Sequence, residues 1–262
     1  MMEALKELVT KGQTLWDTYG ESREDFAKGC AALLENFNHQ ISDLSSLEAL
    51  ISKASLPKQH FDHNHFADYA VTVARSEDCF IDIYVWQNRS TNYHSHHFCG
   101  AFKAMSGQAR QGHLEFQIDE DFDFMQTGIL KLVSTSDLKE GEVQAILPGD
   151  NFIHRNHYVT RPGITLCLRS NDLKGVEIYS YFYPGLAVKH QKLSASQVRH
   201  LKLMEFLQKN NKLETQQIET FYGSLPDWTK HELLTGFTRI HTLIEEPSFL
   251  QALELIAKDD LS

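Results

Sequence analysis

Between about residue 66 and residue 186 the chain breaks into short apolar runs, and that pattern limits it to a small set of folds. The runs read YAVTVARS, CFIDIYVWQ, GAFKAMSG, HLEFQID, GILKLVST, EVQAILPG, ITLCLRS and VEIYSYFYPG. They are rich in β-branched and aromatic residues, which suit a pleated, half-buried surface. Clusters of Gly, Asp, Asn, Ser and Pro separate them, and those are the residues that turn a chain. About eight strands at this spacing predict a sandwich or barrel. No long helices alternate with the runs, which disfavours a parallel βαβ sheet.

Helical periodicity borders this zone on both sides. Leu5, Leu8 and Val9, then Leu15 and Trp16, recur at helical spacing. Ser22 followed by Glu24 and Asp25 reads as an N-cap with an acidic first turn. A second helix would carry Phe26, Cys30, Leu33, Leu34 and Phe37, and a third would start near Ser42 or Asp43 and carry Leu47, Leu50 and Ile51. After Pro184 one stripe runs through Val198, Leu201, Met204, Phe206 and Leu207. Further helices open at Pro226-Asp227 and Pro247-Ser248. The predicted organisation is a helical segment over 1–60, a β domain over 61–190 and a helical segment over 191–262, packed on the barrel or on a partner subunit. The apolar stripes of the last helices suit either a homodimer interface or ordinary core.

Composition narrows the function. With 42% hydrophobic and 23% charged residues in 262, the chain can bury a full core without disulfide or metal staples. A formal net charge of −10 argues against nucleic acid or an anionic membrane as the main partner. Four scattered cysteines make neither a disulfide scaffold nor a CxxC pair. The opening MMEALKELVTKGQ lacks the apolar core of a signal peptide or membrane span, so a cytoplasmic location is expected. No P-loop, dinucleotide fingerprint or GxSxG elbow is present.

Histidine is the unusual count, at 14. In Tyr93-His94-Ser95-His96-His97, residues i and i+2 of a strand point to one face, so His94 and His96 can reach one metal ion. A third ligand must come from elsewhere, with His113, His154 and His157 as candidates in the β zone. The alternative is a cluster of histidines that binds nothing.

The spacing resembles the first cupin motif: His94-x-His96, three residues, Gly100, six residues, Gly107. Gly141 … Pro148-Gly149 … His154 is similar to the second, with one extra residue before the histidine. This resemblance implies a double-stranded β-helix (jelly-roll) barrel holding a metal on His94, His96 and His154; with the helical flanks, which it does not explain, the expected fold is mainly β with α flanks. The family's usual glutamate ligand falls at Gly100, which leaves three neutral histidines and no carboxylate.

Such a three-histidine cupin resembles the thiol dioxygenases. IYVWQNRSTNYHSHHFCGAFKAMSG and IHRNHYVTRPGITLCLRS are similar in the order of their features to cysteine dioxygenase. That family binds its substrate carboxylate with an arginine two residues after a tyrosine; here Tyr69 is followed by Val71 at that place. Its cross-linking cysteine falls at Gly100, beside Cys99. Its late Ser, His, Tyr series reads Thr165, Cys167, Arg169, which share one face of a strand while Ile164, Leu166 and Leu168 share the other.

Free cysteine is therefore not the expected substrate. Arg169 and Tyr69 become the candidate substrate contacts, Arg169 as a fork for a carboxylate, phosphate or bound peroxide. Its alternative is a surface ion pair. Three imidazoles suit several ions; the resemblance favours Fe(II), with Zn, Ni or Mn as alternatives. The expected function is a non-heme Fe(II) dioxygenase acting on a small thiol or related small molecule and dioxygen. The competing functions are a zinc or other metal hydrolase or lyase and a cupin that binds a ligand or partner without turnover.

Of the other candidates, His60, His63 and His65 suggest a polar loop before a second metal site, and Asp119–Asp123 a solvated turn. His97 should point away from the metal. Tyr93 is as easily an ordinary barrel tyrosine as a substrate contact.

Overall fold

The computed structural model describes residues 1–52, 55–59, 67–87, 91–122, 125–189, 195–225, 230 and 247–259. The chain divides into two compact units, Met1–His190 and Gln191–Ser262.

The first unit opens with α1 (Met2–Tyr19), α2 (Arg23–Glu35) and α3 (Leu44–Ser52). Ser22 caps α2 as its sequence predicts, its hydroxyl accepting from the Asp25 amide. Asp43 and Ser46 cap α3 by exchanging side-chain and backbone hydrogen bonds.

Eleven strands follow among the described residues: β1 (Tyr69–Arg75), β2 (Cys79–Trp86), β3 (Tyr93–His96), β4 (Gly100–Ser106), β5 (Ala109–Asp121), β6 (Met125–Leu138), β7 (Val143–Ile146), β8 (Gly149–Tyr158), β9 (Gly163–Ser170), β10 (Tyr179–Phe182) and β11 (Leu186–Lys189). They form a five-stranded sheet in the order β1-β2-β9-β4-β7 and a closed ring of six in the order β10-β11-β6-β5-β8-β3. From β2 to β10 the chain crosses repeatedly between the two layers, and every pairing is antiparallel. This winding is the double-stranded β-helix, with helices at both ends.

Three strands fall outside the apolar runs: β3, β8 and β11. The inward residues of β3 and β8 include His94, His96, His154 and Asn156, so their buried faces carry no apolar alternation to read. The acidic run from Asp119 to Asp121 lies on the exposed end of β5 rather than in a turn; Asp123 lies outside the described residues.

The five-stranded sheet is covered on both faces, and β9 is buried along its whole length. Ile164, Leu166 and Leu168 pack with Leu5, Leu8, Phe26, Cys30 and Leu34 of the helices. Cys167 faces the other way, into a core with Tyr84, Trp86, Phe102, Phe152 and Tyr158 between the two layers. Lys103 ties the helical layer down. Its Nζ donates to the carbonyls of Leu34 (3.0 Å) and Phe37 (2.9 Å), a cation at the negative end of α2.

In the second unit, α4 (Ala195–Lys209), α5 (Thr215–Gly223) and α6 (Pro247–Asp259) share a core that includes Leu201, Met204, Ile218, Phe221, Phe249 and Leu253. The helix expected after Pro226 lies almost wholly outside the described residues, as do His60, His63 and His65. Among the described residues no helix is long and apolar enough to cross a membrane.

Candidate metal centre

Strand β8 lies between β3 and β5, paired in register with both: His94 stands opposite His154, and His113 stands opposite His154 on the other side. The alternation of β3 adds His96 to the face of His94. The result is a buried triad of His94, His96 and His154 whose ligand nitrogens lie within 4.8 Å of one another. Ring centroids are 4.8 Å apart for His94–His96, 4.7 Å for His94–His154 and 5.0 Å for His96–His154.

The chemistry of these rings fits a metal. His94 Nδ1 lies 2.8 Å from the Asn92 carbonyl. An imidazole N–H must donate there, which leaves the lone pair on Nε2. His96 keeps a buried Nδ1 with no hydrogen-bond partner, a cost unless something binds. Burial holds His96 and His154 neutral by pushing their pKa values well below the ordinary range, and the charge of neighbouring histidines adds to this. Neutral imidazole is the ligating form. Nitrogens around a tetrahedral ion with bonds of about 2.0–2.1 Å stand about 3.3 Å apart, so the rings need to close inward by small rotations.

The walls are aromatic. Phe152 lies 4.5 Å from His154, Phe98 5.0 Å from His96 and Phe102 6.0 Å from His154, centroid to centroid.

Gly100 shows why no carboxylate completes the set. A Cβ at this position would lie 2.2 Å from the Leu168 carbonyl oxygen and 2.7 Å from Arg169 Cα. Both are backbone atoms of the adjacent β9, so this backbone excludes any side chain, glutamate or cysteine. Cys99 is buried with its Sγ 3.7 Å from Ser170 Oγ, and burial pushes its thiol pKa up.

Arg169 does face the interior, but its guanidinium is engaged. Nε donates to Asp82 Oδ2 at 2.8 Å, and Nη1 reaches the Ser170 carbonyl at 3.2 Å and Asp172 Oδ1 at 3.4 Å. The rings of Phe80 and Phe98 lie 5.0 and 4.5 Å from its Cζ. Asp82 also accepts from Thr72 and Tyr84. The side chain is 0% exposed. The expected substrate fork is thus part of a buried ion pair, and a substrate carboxylate would have to displace Asp82.

Tyr69 lies on the other face of its sheet. It is opposite Val85 and shares a face with Val71, and both valines pack toward the helices. Its ring therefore points away from the barrel interior and is 46% exposed. The inward residues of β1 are Ala70 and Thr72, so the tyrosine-x-arginine comparison falls one residue out of register.

His97 turns from the triad to Asp172, with Nε2 2.6 Å from Oδ1. His157 is exposed on the other face of β8. His113 and the unforeseen Gln111 stand beside His154, joined through the Gln111 carboxamide. The spacing Gln111-x-His113 repeats that of His94-x-His96 and was the available signal.

No protein-family model matches the chain, and no curated protein matches it in sequence. Solved structures similar to it include the DMSP lyase DddQ from Ruegeria pomeroyi DSS-3, 15% identical over 59% of this chain and 77% of that one, with a TM-score of 0.34. The hydroquinone 1,2-dioxygenase PnpCD is 17% identical over 54% of this chain and 85% of that one, with a TM-score of 0.31. A conserved protein with a double-stranded β-helix domain from Klebsiella pneumoniae is 13% identical over 52% of this chain and its full length, with a TM-score of 0.29. None of these likenesses carries an activity to this chain.

Two outcomes follow. Arg169→Met should cost about 3–5 kcal/mol in urea unfolding, because Asp82 is left charged and buried without its partner; adding Asp82→Asn should recover much of that loss. In the metal-free protein, an unfolded chain takes protons on His96 and His154 near pH 6.5 while the folded chain keeps both neutral. Stability should therefore fall as pH drops below about 6.5, by about 1.4 kcal/mol per pH unit for each histidine. Unfolding curves between pH 7.5 and 5 check this, and His154→Gln should remove one histidine's share of the slope.

Proposed function

We propose that this chain is a metal-dependent dioxygenase that oxidises a small thiol lacking a carboxylate. The observation that carries the proposal is the donor set: three buried imidazoles, two of them held neutral by burial, with Gly100, where the cupins it resembles carry a glutamate ligand, closed to any side chain. Neutral ligands leave an ion its full positive charge, and that charge favours an anionic substrate atom such as a thiolate. An Fe(II) ion, when bound, supplies the one-electron chemistry that lets dioxygen react with a closed-shell partner.

The chain's own residues set the rest. His94, His96 and His154 occupy one side of the centre and leave the other to the reactants. Phe98, Phe102 and Phe152 exclude water and offer apolar contact to the substrate's carbon atoms. Arg169 is held by Asp82 and Asp172, which favours a substrate with an uncharged tail over an amino acid. The reaction RSH + O₂ → RSO₂H balances without a co-reductant: sulfur gives up four electrons, and both oxygen atoms enter the product.

The test is oxygen uptake by protein reconstituted anaerobically with Fe(II), using small thiols with and without carboxylates. Uptake should match sulfinate formed one to one, favour thiols without a carboxylate and vanish in His154→Ala. A protein that holds one iron per chain yet consumes no oxygen with any thiol would not be a thiol dioxygenase.

A further inference from the structure

The carboxamide of Gln111 lies between two imidazoles in the barrel interior. Its Nε2 is 3.1 Å from His154 Nδ1, and its Oε1 is 2.9 Å from His113 Nε2. Gln111 is buried, and its place is set by the β5–β8 register, in which it stands opposite Asn156 and His113 stands opposite His154. His113 is partly buried against Phe152, 5.2 Å away.

Because His154 Nδ1 faces Gln111, Nε2 is the nitrogen left for an ion. A neutral imidazole carries one ring proton. Nε2 can accept an ion only when that proton sits on Nδ1, and a buried Nδ1–H needs an acceptor. In the orientation described, the amide nitrogen meets Nδ1, so Nδ1 accepts and the proton belongs on Nε2. That tautomer does not coordinate.

A half-turn of the carboxamide about its last torsion exchanges its oxygen and nitrogen with little other movement. Oε1 then accepts from His154 Nδ1–H. The amide nitrogen donates to His113 Nε2, which must now hold a lone pair, so the His113 proton moves to Nδ1. Each imidazole stays neutral: two protons change place, and none is gained or lost.

We propose that Gln111 is a positioning residue that couples ion loading at the triad to the tautomer of His113. Loading goes with the flipped amide, and His113 exchanges Nε2–H for Nδ1–H. His113 thus offers an N–H donor at Nδ1 in the loaded protein only. The inference rests on the triad binding an ion and is independent of which reaction follows.

The experiment uses the full chain labelled with ¹⁵N and reads histidine tautomers from long-range ¹H–¹⁵N spectra, without and with zinc, with His113→Gln assigning the resonance. His113 should be protonated on Nε2 without zinc and on Nδ1 with it. Gln111→Leu should weaken zinc binding, measured by competition with a chromogenic chelator, ten- to a hundredfold. Gln111→Glu restores an acceptor for Nδ1–H. It should keep the affinity while holding His113 on Nε2–H in the loaded state, which a merely structural role would not do. Zinc bound by the wild type with an unchanged His113 tautomer would overturn the role of Gln111 and leave the metal centre standing. A wild type that binds no zinc would overturn both.

Discussion

Everything at the centre depends on the register of β8. The strand pairs with β3 on one side and β5 on the other, and both pairings set His154 against a histidine, His94 and His113 respectively. Side chains on a strand alternate with period 2, so a slip of one residue would carry His154 to the opposite face and bring Ile153 or Arg155 in its place. Ile153 is instead committed to the apolar core inside the six-stranded ring, with Leu114, Leu130 and Tyr181. The same alternation that buries Ile153 on one side delivers His154 on the other, so the packing of the ring and the assembly of the triad are one constraint.

The space between the layers also holds buried polar groups, and these are handled in different ways. Arg169 and Asp82 remain charged because each is the other's partner, with Asp172, Thr72 and Tyr84 taking up further hydrogen-bonding capacity. The triad histidines instead avoid charge: burial lowers the pKa of His96 and His154 so far that they stay neutral. The Arg169 charge works in the same direction on His96. Gly100 completes the picture, since the close approach of β4 to β9 leaves no room there for a side chain.

Much of this was legible in the amino-acid sequence, for local reasons. The apolar runs marked most strands and the HxH spacing put two histidines on one face, while the third came only from the resemblance of the stretch around Pro148-Gly149 to the second cupin motif. The alternation Thr165, Cys167, Arg169 against Ile164, Leu166, Leu168 was readable, and the structure divides those residues in that way. What was not legible depends on pairing across long sequence distances. That Arg169 meets Asp82 follows from the β2–β9 register, which no local pattern encodes. Tyr69 stands one residue out of phase on β1 with the inward positions, which sends its side chain to the helical face. Gln111 was missed because an amide carries no metal-ligand signal; its role appears only when His154 and His113 flank it.

A metal centre made of three imidazoles and no other protein ligand has a distinct X-ray absorption signature in the zinc-loaded full chain. The spectrum should show three imidazole nitrogens at about 2.0–2.1 Å, with only solvent oxygen completing the shell, and His96→Ala should lose one imidazole. A sulfur shell at about 2.3 Å, or fewer than three imidazoles in the wild type, would contradict such a centre.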